Sequence, residues 1–136
     1  MLEEIVSWRN VELALRQVEK NKGVCGVDGM QTDELRDFLH TYYTDIRRHI
    51  LEGIYKPDSV EKVEIPKPDS GKRMLGIPTV LDRAIQAAIS QRLVGLYEVE
   101  FSENSYGFRR GRNAHMSVRQ AEKYLTLDTL MLWNWT

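Results

Sequence analysis

A single cysteine, Cys25, stands among the 136 residues. One thiol cannot close an intramolecular disulfide, and no metal-binding Cys/His spacing accompanies it. It reads as a small loop residue in a reducing compartment. No apolar run approaches the roughly 18 residues needed to cross a membrane. The N-terminus also lacks a basic region followed by an apolar stretch. No membrane partner is therefore expected, and the location reads as cytoplasmic. An excess of charge is missing too: 19 Lys and Arg oppose 20 Asp and Glu, for a net charge of −1. No whole-molecule field favours a polyanion, so any nucleic-acid contact has to come from local patches. The histidines His40, His49 and His115 are far apart, no nucleophile–base pair stands out, and no carboxylates are placed for two metals. No catalytic residue, metal site or cofactor is assigned to this chain. Internal repeats and low-complexity segments are lacking. The length suits one domain or a piece of a larger one.

What is present is a change of period along the chain. Val11, Ala14, Leu15 and Val18 recur at helical spacing and predict a helix over 9–20. Three glycines between Gly23 and Gly29 then break it. A second helix is expected after Thr32 as N-cap, with Asp33 and Glu34 in its first turn and Leu35, Phe38 and Leu39 on its core face. A third carries Tyr43, Ile46, Ile50 and Leu51 and ends at Gly53. Val63 and Ile65 alternate with Lys62 and Glu64, residues 67–71 compose a turn, and Met74, Leu75 and Ile77 return, which predicts a hairpin. A long helix over 80–97 follows, with Ile85, Ala88, Ile89 and Leu93 as its buried stripe. A Gly- and Arg-rich loop at 105–112 precedes a last amphipathic helix over 114–125.

Three polar constellations stand out. In the loop at 21–30, glycines let a backbone approach a ligand and backbone N–H groups cradle phosphates; the plain alternative is a helix–helix connection. At the hairpin tip, Lys67, Lys72 and Arg73 can together hold a triphosphate; the alternative is a solvated turn. Segment 105–123 holds Arg109, Arg110, Arg112, Arg119 and Lys123 against Glu122 alone. Tyr106 and Phe108 lie beside the arginines, a combination suited to stacking on bases and binding phosphates. In the alternative the rings are core anchors and the arginines are solvated; one ring is expected in the core. Asp28, Asp69 and Asp82 read as turn or helix-start residues.

The order and wording of these constellations are more specific than any one of them. Asn21-Lys22-Gly23-x-x-Gly26-Val27-Asp28-Gly29 resembles the opening signature of group II intron reverse transcriptases and their retron-like relatives. Ile65-Pro66-Lys67-Pro68-Asp69-x-Gly71-Lys72-Arg73-x-Leu75-Gly76-Ile77-Pro78-Thr79 resembles their first fingers motif, and Asp82-Arg83 and Gln86 also fit. Phe101-Ser102-x-x-Ser105-Tyr106-Gly107-Phe108-Arg109-x-Gly111-Arg112, followed by Ala114-His115, resembles their second. The resemblance runs from about residue 3 to 125. It implies an α+β fold: a helix-rich fingers subdomain of a right-handed polymerase with a small antiparallel β-hairpin, the palm missing. It implies that Lys67 and Arg73, with Lys72 beside them, hold the triphosphate of a dNTP. It implies that Asn21, Lys22, Gly23 and Gly26 lie near template RNA, and that Tyr106, Gly107, Arg109 and Arg112 line the template path or grip intron RNA. Arg110 departs from the family's proline, which loosens the turn and adds a charge.

The family continues into a strand bearing its first catalytic aspartate and, far downstream, a Tyr-x-Asp-Asp hairpin. Those carboxylates hold two Mg²⁺ ions in a complete polymerase. This chain carries neither element, so it is expected to be inactive alone. Residues 1–125 read as N-terminal extension and fingers, and 126–136 as a tail foreign to the family. Read one base out of phase, the codons of Trp133 to Thr136 necessarily spell Glu-Leu-Asp. This resembles the family's approach to its first aspartate and implies a frameshift. Surfaces meant for a palm are expected to be exposed and prone to self-association. Three functions follow: a reverse transcriptase/maturase fragment, an RNA-binding module without enzymatic activity, or an inert pseudogene product.

Overall fold

The computed structural model describes residues 1–68 and 71–126. Asp69 and Ser70 of the expected turn lie outside the described residues, as does the tail from residue 127 on, with Trp133 and Trp135. Helices α1 (Leu2–Ile5), α2 (Trp8–Asn21) and α3 (Leu35–Leu51) precede strands β1 (Glu61–Pro66) and β2 (Lys72–Ile77); α4 (Val80–Tyr97) and α5 (Ala114–Thr126) follow. The architecture is α+β, with one two-stranded antiparallel sheet among the described residues. Two compact units are present, Met1–Val94 and a second that begins at Gly95, within α4.

Helix α2 buries Ala14, Leu15 and Val18, as its periodicity predicts. Lys22 caps it in the left-handed conformation with φ 45°. Helix α3 overturns the expectation of two helices. The stretch His40-Thr41-Tyr42-Tyr43 holds neither glycine nor proline, so nothing interrupts the ladder. Its start also differs from expectation: Thr32 lies in a turn, and Glu34 is the N-cap residue. The Glu34 carboxylate accepts the Gln31 N–H at 2.7 Å. Gly53, with φ 71°, follows the helix as expected.

The core of the first unit joins Leu15 and Val18 of α2, Leu35 and Leu39 of α3, and Val80 and Ala84 of α4. Ile5, Val6, Ala14 and Ala88 form a second cluster. Phe38, expected in the core, is half-buried and packs on Tyr42, ring centroids 4.8 Å apart. The stripe of α4 is rotated from the expected one: Val80, Ala84 and Ala88 face inward, while Ile89 is 37% exposed. Small residues point inward because backbones come close there. Buried Asn10 donates to the carbonyls of both Ile5, at 2.8 Å, and Ala88, at 2.9 Å.

The first turn of α4 organises the polar parts of this unit. Thr79 caps α4: the Asp82 N–H donates to Thr79 Oγ1 at 3.2 Å, and that hydroxyl donates to Asp82 Oδ2 at 2.8 Å. Asp82, 3% exposed, also accepts from the Tyr55 hydroxyl at 2.7 Å and the Asp58 N–H at 3.1 Å. Residues 55–58 lead towards β1, and β2 runs directly into Pro78. One carboxylate therefore holds both feet of the hairpin. The glycine loop docks on the same turn. Arg83 Nη2 donates to the Val24 carbonyl at 2.5 Å. A Cβ on Gly26 would stand 2.7 Å from Thr79 Cα, and one on Gly23 would overlap the Arg83 guanidinium.

Gly26→Ala must therefore displace the loop or the helix start, since the obstacle is backbone. A loss of about 1–3 kcal/mol is expected, read by urea unfolding. Burial, and then the hydrogen bond to Asp82, push the Tyr55 phenol well above its ordinary value. The raised folded-state value means that Tyr55 contributes stability below about pH 10, where the unfolded phenol ionises, and that this contribution is lost as pH rises further. The unfolding free energy should fall as pH rises above about 10, and Tyr55→Phe should remove much of that fall. Tyr43, raised by burial, keeps a residual slope.

Candidate nucleic-acid and nucleotide interface

Four of the sequence-predicted residues lie in the glycine loop. Asn21 and Lys22 are exposed at the end of α2, Gly23 is half-buried beneath Arg83, and Gly26 is buried against Thr79. A turn closes beyond them through Gly29 N–H to the Gly26 carbonyl at 3.0 Å. Asp28 Oδ1 accepts the Met30 N–H at 3.3 Å, the turn role expected of it. The close approach that Gly23 and Gly26 permit is made to the protein's own α4. Asn21 and Lys22 are the side chains of this group left facing solvent.

In the hairpin, Ile65 pairs with Arg73 and Pro66 with Lys72. The Lys67 N–H continues the ladder to the Gly71 carbonyl at 2.7 Å. Paired residues of an antiparallel ribbon share a face, and neighbours along a strand alternate. Lys67 and Arg73 thus fall on one face, with Ile65, Val63 and Leu75. Lys72 falls on the other, where its ammonium pairs with Glu64 at 2.5 Å. The three cations met in sequence divide into a pair and an outlier, a separation that follows from register alone. The pair rides on a ribbon whose Met74 and Leu75 are exposed.

The second unit is built around Arg109. Its side chain is 8% exposed. Nε donates to Glu98 Oε1 at 3.0 Å, and Nη2 to the same oxygen at 2.8 Å and to the Glu98 carbonyl at 3.2 Å. Nη1 donates to the carbonyls of Ser102 at 2.8 Å and Ser105 at 3.3 Å. These contacts use all five N–H donors of a guanidinium. The cation also lies 5.3 Å from the Phe101 ring centroid. Arg109, expected among the RNA contacts, instead ties the segment 98–109 into a knot. Arg112 lies 5.3 Å over the Tyr106 ring and donates to the Glu103 carbonyl.

The expectation that one ring of this loop is core is corrected: Tyr106 is half-buried under Arg112, and Phe108 is fully exposed at 112%. Phe108 also adopts φ 56°, a left-handed conformation unusual for a bulky residue. The turn at 109–112 stays closed despite Arg110, through the Arg112 N–H to the Arg109 carbonyl at 3.2 Å and φ 75° at Gly111. Proline suits the second position of such a turn, but glycine at the third is what it requires. Asn113 Oδ1 then caps α5 by accepting the Met116 N–H at 3.0 Å.

Among the described residues, no group of three His, Cys, Asp or Glu side chains is placed to hold a metal ion. No described helix is long and apolar enough to cross a membrane. Arg83, Tyr55 and Glu98 were not singled out from sequence as organisers of these loops. The Thr79-x-x-Asp82 cap is a readable signal for the first two, since it marks the turn they join. Glu98 and Arg109 are eleven residues apart in irregular chain, where no period links them.

Comparison with known proteins bears on what these loops belong to. The reverse transcriptase (RNA-dependent DNA polymerase) family matches residues 65–130. Protein YkfC of Escherichia coli K12 is 36% identical over 101 residues, covering 74% of this chain and 26% of that protein. The group II intron-encoded protein LtrA of Lactococcus lactis is 32% identical over 112 residues, 82% of this chain and 18% of LtrA. A putative COX1/OXI3 intron 2 protein of Saccharomyces cerevisiae is 25% identical over 117 residues, 86% of this chain and 14% of its own length. The chain spans about a quarter or less of each of these relatives. The end of β1, β2, α4, the arginine loop and α5 fall within the region that the family matches, and the chain belongs to the reverse transcriptase family, homologous to group II intron-encoded proteins.

Proposed function

We propose that this chain supplies the fingers surfaces of a group II intron-type reverse transcriptase, the parts that touch the incoming nucleotide and the template. The observation that carries the reading is the register of the hairpin, which puts Lys67, opposite Gly71, on the same face as Arg73, opposite Ile65. A planar guanidinium and a mobile ammonium on one face suit the oxygens of a triphosphate. Lys72, on the opposite face with Glu64, is left out of that pair. Asn21 and Lys22, held at the edge of the docked glycine loop, and Arg112 with Tyr106 in the second unit, are the RNA-facing residues. Gly23, Gly26, Gly107 and Arg109 act by shaping the loops that carry them. Residues 1–125 make up these surfaces, and 126–136 derive from a shifted reading frame.

A second reading, an RNA-binding module without polymerase chemistry, is favoured by the second unit. Arg110, Arg119 and Lys123 are exposed there, next to a loop whose aromatic ring is bare. On that reading RNA affinity survives loss of Lys67 and Arg73 and falls steeply with salt.

The test is a titration of the whole chain with a dNTP, followed by amide chemical shifts. Shifts should concentrate at Lys67, Gly71 and Arg73, and the Lys67→Ala/Arg73→Ala double variant should weaken binding by about 100-fold or more, the loss of two hydrogen bonds to charged groups. Lys72→Ala should change it less than threefold, on the order of a surface charge. An equal loss in Lys72→Ala would contradict the pairing of Lys67 with Arg73.

A further inference from the structure

We propose that Phe108 is a stacking platform for an unpaired nucleobase of the bound RNA; the inference rests on the RNA-contacting role given to this loop above. The ring is the most exposed large apolar side chain of the described residues, at 112%. The backbone beneath it holds φ 56°, a conformation that a bulky residue keeps only where its surroundings impose it. What imposes it here is visible on both sides. Arg109, the next residue, is locked by five hydrogen bonds to Glu98, Ser102 and Ser105. The turn at 109–112 is closed behind it. The loop is thus preorganised to hold an aromatic ring outward, and a loop selected only for folding would gain from glycine at this position.

The surroundings choose the partner. Phe101 lies under Arg109 and Tyr106 under Arg112, each ring with its own cation, while among the described residues the Phe108 ring has neither a cation over it nor another ring against it. A Cβ at Gly107 would meet nothing within 4 Å, so space is open beside residue 108 on its N-terminal side. Arg110 is exposed two residues on. An apolar protein surface pressed onto this ring would strip water from Arg110 without replacing it, which is costly. An RNA strand offers both a flat base for the ring and a phosphate for the guanidinium. Stacking is tolerant of base identity, because every base presents a π-face.

The experiment is anisotropy of a labelled, unstructured 12-nucleotide RNA with the full chain, repeated at several salt concentrations. Phe108→Ala should weaken binding by about 5- to 100-fold with an unchanged salt slope, since no phosphate contact is removed. Phe108→Gly should show the same loss with a melting temperature equal to or above that of the parent, because the left-handed backbone suits glycine. Phe108→Trp should retain affinity and lose indole fluorescence on binding. Arg110→Ala should instead reduce the salt slope by about one. If the parent binds and both Phe108→Ala and Phe108→Gly bind as it does, the stacking role is overturned while the RNA-contacting reading stands. If the parent itself shows no salt-dependent RNA binding, both fail together.

Discussion

A carboxylate removed from water on the first turn of α4 sets the geometry of the first unit. Asp82 is buried and accepts from three donors, a phenol, a threonine hydroxyl and a backbone N–H. Burying such a charge is costly unless hydrogen bonds replace its water, and removing a donor would leave that cost exposed. The arrangement also couples distant stretches. Tyr55 and Asp58 stand before β1, Thr79 follows β2, and Arg83, the residue after Asp82, clasps the glycine loop. A two-stranded ribbon alone is marginally stable, so its foot has to be held from outside. The same turn presents the backbone against which Gly26 packs.

The second unit repeats the principle with the opposite sign. Arg109 places a cation where Asp82 places an anion, and its five donors gather a carboxylate and carbonyls from a stretch without regular structure. Arginine suits this because its planar fork reaches several acceptors at once and stays charged. Its engagement separates it from Arg110, which the loop displays to solvent. Helix α5 buries none of its residues, and its Val118 and Leu125 are exposed. For a chain covering about a quarter or less of its relatives' length, stability in this unit comes from polar knots more than from a core.

Much of this was legible in the sequence where a period or a breaker speaks. The stripe of α2, the hairpin, the end of α3 near Gly53 and the start of α4 after Pro78 follow from side-chain spacing and from glycine and proline. The motif order located the loops. The division of α3 into two helices has no basis in the spacing: Leu35, Leu39, Tyr43, Ile46 and Ile50 follow one another at intervals of three and four, and no breaker stands between them. The inward face of α4 was misread because Ile85, Ile89 and Leu93 compete with Ala84 and Ala88 on a helix apolar on several sides. Close packing against Asn10 selects the alanines, and that depends on tertiary contact. The fate of Arg109 was hidden for a related reason: a motif names a charge but not whether it is spent internally. Hairpin register, by contrast, could have been read in advance, since alternation alone sets Lys72 apart from Lys67 and Arg73.

The glycine loop, clasped by Arg83, and the arginine loop, built on buried Arg109, are each proposed to contact RNA. Ultraviolet crosslinking of the full chain to a short RNA, with the crosslinked peptides identified by mass spectrometry, tests this most directly. Crosslinks concentrated in residues 106–112 and around Asn21 and Lys22 are the predicted result. Crosslinks that fall instead on the aromatic pair Phe38 and Tyr42 of α3, with none in either loop, would contradict it.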